Sequence, residues 1–439
     1  MNISADNNLK NEVDKITNLF RQRNFKEALI LSDNLIKKQS KIPFLFNLNG
    51  LINLNLEKWQ SAIKVFKKAV DCDQKYVEAY NNMGVAYSHL GNGEKAVENY
   101  TRAIEIKKDY ANGYNNLASH YDDLGNYDEA VKNYVNALKF NPEHQNAQNN
   151  LIHLINFFNP KNHNNNSIIK ANSEIKNTET RISIHKDISN QNLYEFLSRC
   201  NKILKNNIKN LAFFDSQIHR RNGHDLGCDR HHKAFNKYKI IPEYCFSCFK
   251  VQIELKTVTQ LLKLFFIFDQ LKLPNDNIRK CFVELRPNIP GTYKGLIYCS
   301  SKEDADNIFN ITKPFVEKLM RENFEIKVKR GCTEFDLVFP GYKDTDDLKK
   351  ITYDNNWKNK EELIDQEILN GSKKGKKVFS RSLPGACLGD ILIINNWLNY
   401  ADVLGDYSYK KISSKKIDIP FIKKFLINQL EFRKENFVL

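Results

Sequence analysis

The chain has 439 residues, a formal net charge of +15 and a hydrophobic content of 41%, enough apolar material for two or three domains with cores of their own. The opening MNISADNNLKNEVDK lacks a basic segment followed by an apolar run, and the most apolar stretch, LLKLFFIF, is far too short to span a bilayer; a cytoplasmic chain without membrane insertion is expected, its nine cysteines mostly reduced. Residues 1–158 carry 19 Lys+Arg and 18 Asp+Glu, the rest 48 and 34, largely lysine and without basic runs interleaved with aromatics, so nucleic acid is not an expected partner.

In chain order, the first signal is a period. Ala28, Ala62, Ala96 and Ala130 are spaced by 34 residues; Ser32, Phe66, Tyr100 and Tyr134 follow four positions later, and Leu35, Ala69, Ala103 and Ala137 three further on. Tyr80 and Tyr114, and Tyr87 and Tyr121, repeat at the same interval. Small residues at two fixed places let paired helices approach closely, and aromatics fill the space between pairs. The pattern is strongest in VEAYNNMGVAYSHLGNGEKAVENYTRAIEIKKDY and ANGYNNLASHYDDLGNYDEAVKNYVNALKFNPEH, fair before them and degenerate in the first repeat; QNAQNNLIHLINFF reads as a closing helix.

These residues resemble the tetratricopeptide repeat family over residues 9–158. The resemblance implies an α-solenoid, a right-handed superhelix of about four repeats, whose concave face binds a protein or peptide ligand. Asn82, Asn116 and Asn150 also recur at 34, at the sixth position of their repeats, with Leu48 at the matching place in the second. A partial asparagine ladder of this kind is similar to those of the O-GlcNAc transferase and kinesin light chain repeat domains. A side-chain amide carries both donor and acceptor, so each rung can grip one peptide unit of an extended ligand. The bland reading is that these are solvated asparagines in an asparagine-rich chain.

Residues 159–190, polar and nearly free of aromatics, read as a flexible linker. Residues 191–439 then read as an α+β domain. Helices are expected at 192–208 and 255–271; CFVELRP and KGLIYCS read as strands, KEDADNIFNITKPFVEKLM as a helix, and FEIKVKRG and TEFDLVFPG as a second strand pair. That order implies a small antiparallel sheet with helices on one face. GACLGDILIINNWLNYADVLG and IPFIKKFLINQLEFRKE read as helical.

A Cys/His cluster precedes the sheet. Cys228 and His231 form C-x2-H, and Cys245 and Cys248 form C-x2-C; two short hooks joined by a loop of this kind are the usual arrangement for tetrahedral zinc. Four of the ten histidines, His219, His224, His231 and His232, fall within fourteen residues. Zinc on Cys228, His231, Cys245 and Cys248 is therefore expected, with His232 as an alternate ligand and His219, His224 and Asp225 as spare donors. The competing readings are reduced core thiols and a redox or nucleophilic cysteine. Glu284 with Arg286, and Glu334 with Asp336, alternate with apolar residues and could line a cleft on the open sheet face or merely solvate it. No Walker loop, G-x-G-x-x-G, H-E-x-x-H or G-x-S-x-G occurs. Two functions fit: an adaptor that holds a partner protein in its groove, or an enzyme acting on proteins or peptides, whose repeats recruit substrate to a catalytic second domain.

Overall fold

The computed structural model describes residues 3–411 apart from 163–164, 183, 185, 209–210, 212, 214, 221–225, 287–288, 344–350 and 372–381. His224, Asp225 and the helix expected near the C-terminus lie outside the described residues. Those described divide into two compact units, 3–150 with 365–371 and 151–364 with 382–411. Among them no helix is long and apolar enough to cross a membrane.

The first unit is a run of helix pairs: α1 (Ile3–Arg21) with α2 (Phe25–Lys38), α3 (Pro43–Asn55) with α4 (Trp59–Cys72), α5 (Val77–His89) with α6 (Gly93–Ile106), and α7 (Ala111–Asp123) with α8 (Tyr127–Phe140). The periodic alanines are why the pairs close. Ala28, Ala62, Ala96 and Ala130 have no accessible surface, and Gly84 lies so near the Tyr100 ring that a Cβ there would sit 2.6 Å from it. Each turn between paired helices passes through the left-handed region at the same register: Arg23 (φ 60°), Glu57 (φ 57°), Gly91 (φ 72°) and Gly125 (φ 78°). The amide after each of these residues bonds a carbonyl five residues back, as in Asn92 N–H to Tyr87 O at 2.9 Å, so the turn satisfies carbonyls that the helix end leaves open. The division between the units falls inside α9 (Gln145–Ile155).

The second unit begins at 151, and the linker expectation for 159–190 is corrected. That stretch contains α10 (Ser167–Ile182), which packs on α11 (Asn190–Asn207). Ile168, Ile169, Asn172 and Ile175 are at most 4% exposed. Its apolar residues are few but share one helix face, and spacing rather than composition decides burial. There follow β1 (Gln217–Arg220), α12 (Cys228–Tyr238), α13 (Glu243–Ser247), β2 (Phe249–Leu255), α14 (Val258–Gln270), β3 (Arg279–Val283), β4 (Tyr293–Cys299), α15 (Lys302–Met320), β5 (Glu325–Arg330), α16 (Thr333–Val338), α17 (Asn355–Gly371), whose residues from 365 on are assigned to the first unit, and α18 (Leu388–Leu404).

The strands form one antiparallel sheet in the order β1-β3-β4-β2-β5. One face packs on α14 and α15. Gly295 of β4 allows this approach, since a Cβ there would meet Leu264 and Phe268 of α14. Arg220 of β1 is buried between helices: it holds Asp390 of α18 through bonds of 3.1 and 2.8 Å, faces Asp269 of α14 at 3.4 Å, and lies 4.6 Å over the Phe265 ring. Arg279 is fully buried and donates to the carbonyls of Phe268 and Leu271 at the C-terminal end of α14, where the helix dipole favours a cation.

One expected strand is a helix. TEFDLVFPG forms α16 because Gly331 (φ 55°) turns the chain back after β5. Phe335 and Tyr342 then pack with Phe235, Ile241 and Cys245 in an apolar cluster that Phe339 flanks. Alternate charged and apolar residues fit a strand locally; this cluster selects the helical turn instead.

Candidate functional site

In the first unit, the expected rungs belong to a longer hydrogen-bonded chain of amides. Asn82 Nδ2 donates to Asn47 Oδ1 at 2.9 Å, Asn81 Nδ2 to Asn82 Oδ1 at 3.3 Å, Asn116 Nδ2 to Asn81 Oδ1 at 3.0 Å, Asn115 Nδ2 to Asn116 Oδ1 at 3.1 Å, and Asn150 Nδ2 to Asn115 Oδ1 at 3.3 Å. Asn47, Asn81 and Asn115 are the buried treads, at 5–6% exposure; Asn82, Asn116 and Asn150 are half-buried. Asn150 is further engaged by the Tyr134 hydroxyl. An amide group has two donor hydrogens and two acceptor lone pairs. The bonds named above use one donor and one acceptor site on Asn82 and on Asn116. Asn116 lines a depression of about 140 Å³ between α5 and α7, with Ser88, Ser119, His120 and Asp123 around it. The amides thus join consecutive repeats as well as presenting polar groups.

In the second unit, all four residues expected on zinc line one small cavity, together with His232, Lys250 and Cys332. Their surroundings differ. Cys245 belongs to the apolar cluster, and burial pushes its thiol well up. Burial also raises Cys228 and Cys248. His231 is buried and stacks on Tyr244 with ring centroids 5.3 Å apart. Among the described residues, no group of three His, Cys, Asp or Glu side chains is arranged to hold a metal ion. The charge in this corner is instead that of Lys250, whose Nζ lies 3.2 Å from Cys332 Sγ. Burial acts to raise the Cys332 thiol, but the Lys250 ammonium and the hydrogen bonds from His232 and Lys250 outweigh it and bring the thiol down to about 5.

The larger cavity, of about 600 Å³, lies on the sheet face away from α14 and α15. Its floor is made by alternate residues of all five strands, Gln217 and His219 of β1, Lys280 and Phe282 of β3, Lys294, Leu296 and Tyr298 of β4, Lys250 and Gln252 of β2, and Lys329 of β5. Its wall is Cys228, Asp229 and His232 of α12 and the segment 332–334 at the start of α16. Glu284 and Arg286 line it and pair with each other at 2.7 Å. Glu334 also meets Arg286. Asp336 does not line it and binds Lys343 at 2.7 Å.

Two family models match the first unit: one described as Tetratricopeptide repeat over 77–110 and 111–144, another described as TPR repeat over 50–91. Residues 50–144 are tetratricopeptide repeats. Solved structures similar to the chain include MamA (23% identity, 32% of this chain and 82% of that one, TM-score 0.29). Others are a thermophilic TPR protein of Thermus thermophilus (17%, 45% and 90%, 0.31) and the first TPR of Spaghetti (RPAP3) bound to an HSP90 peptide (22%, 26% and 90%, 0.25). No family model matches the second unit, and no curated protein matches the chain.

Reasoning from sequence found the sixth-position asparagines of the tetratricopeptide repeats but missed their fifth-position partners, although Asn47, Asn81 and Asn115 also recur at 34. It missed Lys250, Lys280, Lys329 and Cys332. The available signal was lysine alternating with apolar residues in FKVQIEL, RKCFV and EIKVKR, a pattern that also describes a solvated sheet face.

Proposed function

We propose that the chain is an adaptor whose tetratricopeptide groove holds the backbone of an extended peptide through Asn82, Asn116 and Asn150. The observation that carries this reading is the amide staircase. Each rung is fixed in orientation by its bond to the preceding repeat, and Asn82 and Asn116 have donor and acceptor sites beyond those the staircase uses. Rungs oriented in advance lose less side-chain entropy when a ligand arrives. Main-chain recognition of this type suits a partner segment that is itself unfolded. The enzyme reading calls for an open metal position or a deep pocket beside Glu284, Arg286 and His224; Glu284 and Arg286 line a cavity of about 600 Å³, and His224 lies outside the described residues.

The test is selection of peptides from a random-sequence display library on the full chain, followed by affinity measurement on the variant Asn82→Ala/Asn116→Ala/Asn150→Ala. Affinity should fall by about tenfold or more, as expected when several backbone hydrogen bonds are removed together. The variant should still unfold cooperatively, with the repeats losing about 0.5–1.5 kcal/mol per broken inter-repeat bond. Peptides that bind wild type and a folded variant equally would refute the reading.

A further inference from the structure

The depression beside Asn116 in the first unit differs in charge from the chain as a whole. The chain carries a formal net charge of +15, yet among the described residues no lysine or arginine lines this depression. Asp123 brings a carboxylate to it, Ser88 and Ser119 bring hydroxyl oxygens, and Val85 and Tyr100 bring apolar surface. Ser88 Oγ lies 3.1 Å from His120 Nδ1, and a hydroxyl oxygen with two lone pairs can accept a further bond. Asp122 and Asp123 are the last two residues of α7, both half-buried. Carboxylates at a helix C-terminus add to the negative end of the helix dipole, which opposes stability. Packing of the repeat does not call for them: the matching residues are Ser88 and His89 in the preceding repeat and Leu54 and Asn55 in the one before it. The field of Asp123 reaches the opposite wall, where burial first and then this carboxylate push the Tyr100 hydroxyl up.

We propose that this depression is the subsite for one lysine or arginine side chain of the bound peptide, its cation set against Asp123 while Asn116 holds a neighbouring peptide unit. The assignment rests on the groove reading of Asn82, Asn116 and Asn150. At about 140 Å³ the depression is smaller than the roughly 300 Å³ at which pockets for whole small molecules begin, and it suits a single side chain. The aliphatic stem of a basic residue can lie on Val85 and Tyr100, and its head then meets the Asp123 carboxylate and the serine oxygens. The end of the helix dipole that disfavours Asp123 in the free chain favours a cation brought by the ligand. An acidic or phosphorylated side chain would instead face Asp123 and be repelled. The amide rungs would thus grip the main chain whatever its sequence, and this subsite would select at one position.

The experiment selects peptides from a random-sequence display library on the full chain and, in parallel, on its Asp123→Lys variant. Peptides taken by wild type should share lysine or arginine at one position, and those taken by Asp123→Lys should carry aspartate or glutamate there. A selected peptide is then synthesised with its basic residue and with glutamine in its place, a change that leaves the folded protein untouched. The glutamine peptide should bind wild type about fivefold more weakly, and the two peptides should bind Asp123→Asn equally. Peptides that depend on Asn82, Asn116 and Asn150 but share no basic position would overturn the subsite and leave the groove reading standing. A library that yields no peptide at all would overturn both. The same glutamine loss on wild type and on Asp123→Asn, or a basic preference kept by Asp123→Lys, would overturn the subsite alone.

Discussion

Replacing Arg220 by Met tests whether the second unit is held together by the buried charge set beside the sheet. The guanidinium side chain is 6% exposed, and those of Asp269 and Asp390 are 6% and 4% exposed. Methionine fills much of the volume and keeps contact with Phe265, so the change is chiefly one of charge and hydrogen bonding. Asp390 would keep its bond from the Cys387 amide at 2.9 Å, and Asp269 its bond from the Gly385 amide at 2.9 Å, but both carboxylates would lose their cation. Breaking a buried pair by removing one partner costs about 3–5 kcal/mol. Two carboxylates share this arginine, which places the expected loss toward the upper end. For a unit of this size, about 2–4 °C per kcal/mol gives a fall in Tm of roughly 8–20 °C.

The assay is urea and thermal unfolding followed by circular dichroism, with the repeat transition as internal reference. Adding Asp269→Asn and Asp390→Asn to Arg220→Met should recover part of the stability. A loss below about 1 kcal/mol, the range of exposed ion pairs, would refute the argument.

Other outcomes are expected. Glu57→Gly, at a left-handed turn position that is glycine in the later repeats, should stabilise the first unit by about 0.5–1 kcal/mol in denaturant unfolding. Without ligand, the second unit should gain stability as pH rises from about 7 to about 9. Over that range folded Lys329 and Lys280 release protons near 7 and 8 that the unfolded chain retains, and Lys280→Gln/Lys329→Gln should flatten the slope. Iodoacetamide at about pH 6.5 should modify Cys332 ahead of Cys228, Cys245 and Cys248, by peptide mass spectrometry, and Lys250→Met should slow it. Protection of Cys228, Cys245 and Cys248 together with stoichiometric zinc by elemental analysis would show instead that the hooks hold metal.

The repeats were legible in the sequence because each contacts only its neighbours. The same local packing problem recurs every 34 residues, and Ala62, Ala96 and Ala130 solve it in the same way. The recurrence of Asn82, Asn116 and Asn150 was legible for the same reason. The small antiparallel sheet with helices could be read from strand and helix periods, and α15 matches its expected span, 302–320. Tertiary structure decided the rest. Whether 159–190 folds depends on what covers the single apolar stripe of α10, and whether 333–338 is strand or helix depends on the cluster around Phe335 and Tyr342. The cation-lined cavity joins Lys250, Lys280, Lys329 and Cys332, residues from separate strands and a turn. On each strand alone, the alternation of lysine with apolar residues is what a face open to water also requires. Only the crossing of α12 and the α16 segment over one end of that face makes it a pocket, and the resulting low-dielectric surroundings give its charges their chemistry.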